Sequence, residues 1–134
     1  MSLSARVVVA MAGLSLAAAA CSGQPQPQAG TTAARELRIG LVEYEVLASH
    51  AAVLPGDVVF EVTNAGGEAH DLRVDGAAEP AAAPTLRPGD TATLRVHVPA
   101  GQDELVLWCT LPGHRAQGMH TRLEVSPQDT ENAS

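Results

Sequence analysis

The chain has 134 residues, enough for one domain of ordinary size with extensions at its ends. Its formal net charge at pH 7 is −7, and the eight residues counted as basic are all arginines. This balance argues against nucleic acid as a partner and against electrostatic attachment to anionic lipid, because both surfaces are negatively charged. No Ser–His–Asp set, paired-carboxylate motif or phosphate-binding loop appears, so we do not expect an enzyme.

Residues 1–20 are typical of a secretory signal segment. Arg6 supplies a positive charge, and the apolar stretch from Val7 to Ala20 is short for a membrane span and ends in small residues. A buried helix and an uncleaved membrane anchor are the alternatives. We therefore expect an exported protein, located in the periplasm or elsewhere outside the cytoplasmic membrane.

Three alanines stand directly before Cys21, and a Ser-Gly pair follows it. This segment resembles the lipobox of bacterial lipoproteins, although Ala18 occupies the place where leucine is usual. The resemblance implies that a lipid on Cys21 anchors the protein to the membrane. The same alanines also suit the ordinary signal peptidase, which would leave Cys21 as a simple cleavage point.

The next segment, residues 22–34, is uncharged and rich in Gln, Pro, Gly and Thr. It cannot bury apolar surface, so residues 21–34 are expected to be an anchor cysteine followed by a flexible tether. Residues 127–134 are polar and are expected to be a disordered tail. The folded domain is then predicted to span residues 35–126, a usual size for one small β domain.

Within this domain, apolar and polar residues alternate in short stretches that predict β-strands. Turn-forming sequences separate them at 55–57, 64–67, 88–90 and 99–103. Residues 76–84 are expected to form a loop, because their prolines disfavour the alternative of an isolated helical turn. The pattern predicts an all-β, single-domain Greek-key β-sandwich or barrel. The predicted strands include the stretches 37–41, 58–62, 72–74, 92–98, 103–110 and 121–125.

Three metal-capable side chains, Cys109, His114 and Met119, stand at intervals of five in the segment WCTLPGHRAQGM. Singly, such residues are usually a small buried apolar residue, a solvated side chain and core filler. Cys109 lacks a disulfide partner, however, because Cys21 belongs to the N-terminal segment. Together the three offer three of the four donors of a type 1 copper site, which uses two histidines, one cysteine and a weak axial methionine.

Two other metal sites fit this segment less well. Structural zinc is usually bound by four Cys and His ligands and has little use for a thioether. A dinuclear CuA centre needs two cysteines in the loop, and Cys109 is the only one there. One copper ion is therefore the favoured cofactor.

A second histidine stands in the segment VTNAGGEAHDLRV, where His70 begins a predicted strand after a glycine-containing turn. This segment resembles the first-ligand motif N-x-G-x-x-x-H of the cupredoxins, the small blue-copper proteins. The spacing C-x₄-H-x₄-M is similar to that of auracyanin and its relatives, whereas azurin has one residue fewer between His and Met. The stretch LRPGDTATLRV also resembles the turn and strand between the two ligand segments, so the resemblance covers roughly residues 37–125.

The resemblance implies a type 1 site with His70, Cys109 and His114 as equatorial ligands and Met119 as the axial ligand. It also implies that Asp71, where relatives usually carry Asn or another small polar residue, ties the two ligand segments together through Thr110. As Asp, it would stabilise Cu(II) and lower the reduction potential.

The implied function is one-electron transfer by a monomer between redox proteins, with His114 as the route for the electron. Leu111, Pro112 and Arg115 are then the expected docking residues for donor and acceptor. The alternative is a copper-binding or copper-delivery protein, although such a protein would favour additional exposed Met and His residues. Membrane contact is expected through the N-terminal lipid only.

The remaining histidines, His50 and His97, have no partnered motif and are expected to be structural or solvated. His120 follows Met119 directly, and neighbouring residues of an extended segment face opposite sides. We therefore expect His120 to face away from the metal. Trp108 precedes Cys109 and is expected to point into the core.

Overall fold

A computed structural model describes residues 33–127 of the chain. These residues form nine strands and one 3₁₀ turn, Arg115–Gln117. None of their helices is long and apolar enough to cross a bilayer. The strands are β1 (Glu36–Val42), β2 (Glu45–Ala48), β3 (Ala52–Val53), β4 (Gly56–Asn64), β5 (His70–Asp75), β6 (Ala81–Leu86), β7 (Thr91–Val98), β8 (Glu104–Trp108) and β9 (His120–Val125).

The strands build two mixed sheets that pack face to face. The first sheet has the order β2-β1-β4-β7, and the second has the order β3-β9-β8-β5-β6. Most pairs are antiparallel, but β1 runs parallel to β4 and β3 runs parallel to β9. The predicted all-β sandwich is confirmed.

The core lies between the sheets because buried apolar side chains alternate with outward-facing side chains along strands such as β1, β4, β5 and β8. In β4, Val58, Phe60 and Val62 are almost fully buried, whereas Asp57, Glu61 and Thr63 are exposed. Burial of each such apolar side chain contributes about 1.5 to 3 kcal/mol of transfer free energy. One cluster of apolar residues fills the space between the sheets and reaches Cys109 and Met119 at one end.

One sequence expectation about the strands was incomplete and one was wrong. The predicted strand 37–41 lies within β1, but β2 was not predicted; the chain turns at Glu43 and Tyr44 from β1 back into the antiparallel β2. The stretch 76–84 is not a loop throughout, because β6 begins at Ala81 and includes Pro84. β6 lies at the edge of its sheet, where a proline removes no interior ladder bond.

At the start of the described region, Ala33 is buried and Ala34 forms a parallel bridge with Val53. Both residues had been expected to belong to the tether, and both pack onto the sandwich. The signal segment 1–20, Cys21, most of the tether and residues 128–134 lie outside the described residues.

Candidate metal centre

The proposed ligands come from two segments at one end of the second sheet. His70 is the first residue of β5, and Cys109 directly follows β8. His114 and Met119 lie in the connection from β8 to β9. The main chain closes this connection, because Cys109 N donates to Met119 O at 3.1 Å and Met119 N donates to His114 O at 3.1 Å.

Gly118 makes the tight return of this loop possible. Its φ angle is +112°, a backbone conformation that costs glycine little but that side chains disfavour. It ends the 3₁₀ turn, and its N–H donates to Arg115 O at 3.0 Å. The turn brings Met119 back beside Cys109 within 10 residues of chain.

Three ligand atoms converge at this end of the sandwich. One donor atom each from His70, Cys109 and His114 lies within 4.8 Å of the other two. His70 Nδ1 and His114 Nδ1 are 3.3 Å apart, and Cys109 Sγ is 3.6 Å from His114 Nδ1. An ion about 2.0 Å from nitrogen and about 2.3 Å from sulfur in a trigonal plane holds such atoms about 3.5 to 3.8 Å apart. The donors therefore fit one metal ion.

The donors differ in their access to water. His70, Cys109 and Met119 are almost fully buried, whereas His114 is partly exposed. Met119 and Cys109 belong to the same apolar cluster between the sheets. His114 is thus the proposed ligand nearest to solvent.

Burial raises the pKa of the Cys109 thiol, because the thiolate is poorly solvated there. The main-chain N–H groups of Asp71 and Leu111 oppose this effect by donating to the sulfur. A bound cation would also oppose the effect of burial, because it stabilises the thiolate. The site therefore suits a metal-bound sulfur better than a free thiolate.

Asp71 connects the two ligand segments. Its Oδ1 accepts a hydrogen bond from Thr110 N at 2.6 Å, and its Oδ2 accepts one from Thr110 Oγ1. Asp71 follows His70 and Thr110 follows Cys109, so the two bonds hold the residues next to two proposed ligands in register.

Glu43 and Tyr44, which form the turn between β1 and β2, were not predicted from the sequence to lie at this site. Glu43 Oε1 lies 2.8 Å from His70 Nε2, and the Tyr44 ring meets the His114 ring edge-on with centroids 5.1 Å apart. The N–H groups of Glu68 and Gly67, followed by His70, lower the pKa of Glu43 to about 2. No spacing signal links Glu43 to His70, because the contact depends on how the two sheets pack.

The expectation that Trp108 points into the core was wrong. In β8, Leu105 and Leu107 are buried and Cys109 follows on the same side, so alternation places Trp108 on the outer face. There its Nε1 donates to Asp75 Oδ2 at 2.7 Å.

The three expected docking residues lie close together in the chain but differ in their surroundings. Pro112 is exposed, and Leu111 is half-buried and packs against the core cluster. The guanidinium of Arg115 lies 4.3 Å from the centre of the Trp108 ring, which is cation–π distance. Arg115 thus has a structural contact in addition to any contact with a partner.

The other histidines lie apart from the three converging donors. His50 Nδ1 is 3.0 Å from Ser49 Oγ, and His97 Nδ1 is 2.8 Å from Asp57 Oδ1. His120 is exposed on β9, opposite in direction to the buried Met119. None of the three belongs to the cluster of metal-capable side chains found in residues 33–127.

Solved structures share this architecture. A dithionite-reduced auracyanin from Roseiflexus castenholzii is 20% identical with a TM-score of 0.58, over 71% of this chain and 99% of that chain. Auracyanin B is 18% identical with a TM-score of 0.56, over 72% and 91%. A copper-containing nitrite reductase from Thermus scotoductus is 17% identical with a TM-score of 0.52, over 68% of this chain and 30% of that chain. No protein-family model and no curated protein matches the chain.

These identities are low, so the likeness establishes the fold alone. The match spans nearly the full length of the auracyanin from Roseiflexus castenholzii but less than a third of the nitrite reductase. The chain has the cupredoxin β-sandwich fold of the auracyanins.

Proposed function

We propose that this protein is a type 1 copper protein that carries single electrons between redox proteins. The observation that carries the proposal is the convergence of His70, Cys109 and His114 within 4.8 Å, with Met119 buried in the same cluster as Cys109. Two imidazoles, one thiolate and one thioether are the donor set of blue-copper electron-transfer sites. One copper ion bound there would supply the change between Cu(I) and Cu(II).

The residues around the donors hold them in a fixed arrangement. Main-chain bonds join Met119 to Cys109 and to His114, and Asp71 bonds twice to Thr110. Donors held in this way move little when the charge at the site changes by one, which favours fast electron transfer. The shared fold supports the proposal, since auracyanin A from Chloroflexus aurantiacus is described as a blue copper protein.

The electron would enter and leave through His114, the partly exposed donor. Leu111 and Pro112 precede it in the same loop and offer apolar surface for a redox partner, and Arg115 follows it. Such a small surface suits transient contact, because electron-transfer partners typically bury less than about 1,200 Å² in total. The proposed partners are therefore redox proteins that donate and accept the electron.

Copper delivery is the second candidate function, and the residues favour it less. A delivery protein benefits from exposed thioethers that pass the ion on, whereas Met119, the only methionine after Met11, is fully buried. An enzyme would need a further reactive group beside the copper. The described residues hold one close group of His, Cys and acidic side chains with metal-binding geometry, and we therefore propose a carrier and not an enzyme.

We also propose that the protein acts outside the cytoplasmic membrane. The support is the signal-like segment 1–20 and the lipobox-like position of Cys21. Mass spectrometry of protein extracted from membranes tests the anchor. A diacylglycerol increment on Cys21 supports it, and an unmodified N-terminus at Cys21 contradicts it.

The visible spectrum of the purified protein during titration with Cu(II) tests the proposed function. We expect an intense blue band that saturates at one copper per chain, bleaches with a mild reductant and returns on oxidation. Cys109→Ser should abolish the band, whereas the matched variant Cys21→Ser should retain it. A colourless protein that holds copper only as Cu(I) would favour delivery, and a protein that binds no copper would contradict both functions.

A further inference from the structure

The turn between β1 and β2 lies against the metal centre although it belongs to the other sheet. The proposed ligands are carried by β5 and by the β8–β9 connection of the second sheet, whereas Glu43 and Tyr44 join two strands of the first sheet. This turn contacts both histidines, through Glu43 Oε1 at 2.8 Å from His70 Nε2 and through the Tyr44 ring against His114. The geometry points to Glu43 as a positioning residue of the metal centre, which sets the orientation and the tautomer of His70.

The burial of His70 gives this contact its importance. Its side chain has no exposed surface, so water cannot take the place of a partner for its outer ring nitrogen. Glu43 Oε1 accepts the hydrogen bond from Nε2–H. The proton is then held on Nε2, and the lone pair of Nδ1 is left on the side of the ring where His114 Nδ1 lies 3.3 Å away.

Glu43 is itself held in place independently of His70. Its Oε1 accepts hydrogen bonds from Gly67 N at 2.9 Å and from Glu68 N at 2.8 Å. These residues belong to the connection from β4 to β5, which leads directly into His70. The carboxylate therefore fixes the approach of the chain to the ligand as well as the ligand ring.

In the same connection, position 66 leaves room for the Glu43 carboxylate only because it is a glycine. A Cβ atom at Gly66 would lie 2.9 Å from Glu43 Cδ and closer still to Oε1. Atoms cannot approach so closely without a shift, and the two hydrogen bonds prevent the carboxylate from moving freely. Gly66 is the glycine of the N-x-G-x-x-x-H motif. Because it has no side chain, the Glu43 carboxylate can occupy the space beside it.

This inference rests on the proposed copper function for its consequences, because ligand positioning matters only when an ion binds. A carboxylate bonded to the outer nitrogen of a ligand histidine increases the basicity of the ring, and loss of such a partner typically weakens metal binding about 10- to 100-fold. Gln can accept the same hydrogen bonds without the charge. Replacement by Gln therefore separates the effect of charge from the effect of position.

The experiment compares Glu43→Ala and Glu43→Gln with the control Glu45→Ala, which removes an exposed carboxylate two residues away in β2. In the metal-free protein, ¹⁵N-detected NMR reports the tautomer of His70. We expect the Nε2–H tautomer in the wild type and in Glu43→Gln, and a mixture of tautomers in Glu43→Ala. Copper affinity should fall about 10- to 100-fold in Glu43→Ala alone, and the reduction potential should rise in Glu43→Gln. Glu45→Ala should match the wild type in all three measurements.

Two results would overturn the inference. One is an unchanged His70 tautomer in Glu43→Ala, and the other is copper affinity within about threefold of the wild type in that variant. Urea unfolding shows whether Glu43→Ala is still folded. If it is not, the reduction potential of Glu43→Gln is the test, and a potential equal to that of the wild type would overturn the inference. A wild-type protein that binds no copper would contradict the proposed function, while the NMR comparison would still test the contact between Glu43 and His70.

Discussion

Asp71 and Thr110 join the two ligand-bearing segments by a pair of hydrogen bonds that use both carboxylate oxygens of Asp71. Each residue directly follows a proposed ligand, so a shift of one segment against the other would break both bonds. The pair also places a carboxylate close to the proposed ion. The Asp71 side chain therefore both holds the two segments together and carries a negative charge near the site. A substitution that keeps the hydrogen bonds but removes the charge separates the two effects.

For Asp71→Asn we expect a retained blue site with a higher reduction potential. Asn can accept from Thr110 N, and the Thr110 hydroxyl can rotate to accept from the amide, so both contacts survive. Loss of the negative charge should make Cu(II) less stable relative to Cu(I), because an anionic group near the ion favours the higher charge. Redox titration of the visible band measures the effect. Asp57→Asn, at the far end of β4, is the control with the same charge change, and a potential unchanged from the wild type in Asp71→Asn would rule out the charge effect.

Asn64→Ala should destabilise the metal-free protein by about 2 to 4 kcal/mol. Asn64 has no exposed surface, and its Nδ2 donates to Glu68 O at 2.7 Å and to Leu86 O at 2.9 Å. Truncation leaves both carbonyl oxygens without this donor in the protein interior. Urea unfolding followed by tryptophan fluorescence measures the change. Thr63→Ala, at the exposed neighbouring position of β4, should cost less than about 1 kcal/mol, and equal effects would contradict the role of Asn64.

Leu111→Asp should slow electron exchange while the copper spectrum remains. The substitution places a charge on the apolar surface proposed for docking, and a desolvated charge opposes close contact with a partner. Line broadening in NMR spectra of mixed oxidised and reduced protein measures the self-exchange rate. Leu47→Asp is the matched control, because Leu47 is 50% exposed in β2 and outside the ligand loop. Equal rates in the two variants would place the docking surface elsewhere.

Asp75→Asn should lower stability at neutral pH and have little effect in acid. Asp75 Oδ1 accepts from Arg73 Nε at 2.9 Å, and this bond, followed by that from Trp108, holds the pKa of Asp75 below its ordinary value of 3.8. Arg115 lowers it further through its charge. The ionised carboxylate thus stabilises the fold above pH 3.8, and this contribution is lost as the pH falls through the lower pKa of the folded state.

The expected difference in unfolding free energy is below about 1 kcal/mol, because the Asp75 side chain is 43% exposed and solvent screens the pair. Urea unfolding of both proteins at pH 7 and at about pH 3 measures it. The gap should be present at pH 7 and should shrink at the lower pH. A gap that grows in acid would contradict the assignment.

Three of the four proposed ligands could be predicted from the sequence because they lie in one short segment. Cys109, His114 and Met119 lie within 11 residues, so one turn of the chain is enough to bring them together. In the structure, main-chain bonds between these three residues close that turn. The alternation in β4 and β7 likewise reflects a property of single strands, since successive side chains face opposite sides. His70 was reached by resemblance, and the structure places its Nδ1 beside His114.

Trp108 was expected to point into the core by alternation from Cys109, whose side chain was expected to face the metal. Leu105 and Leu107 are buried, however, and Cys109 lies on their side of β8, so Trp108 lies on the opposite face. Alternation separates the two faces of a strand, but only the packing of the sheets decides which face is the core. The Trp108 ring instead packs against Arg115 and bonds to Asp75.

The sequence by itself determined the all-β class, the ligand loop and the donor types, because each depends on neighbours along one strand or one turn. Tertiary structure alone decided that Glu43 meets His70 and that Tyr44 meets His114. Those contacts cross from one sheet to the other over 27 residues in the case of Glu43. These contacts depend on how the two sheets pack and on the register of their strands, which no local sequence pattern encodes. The surroundings of the proposed copper ligands therefore depend on the tertiary structure.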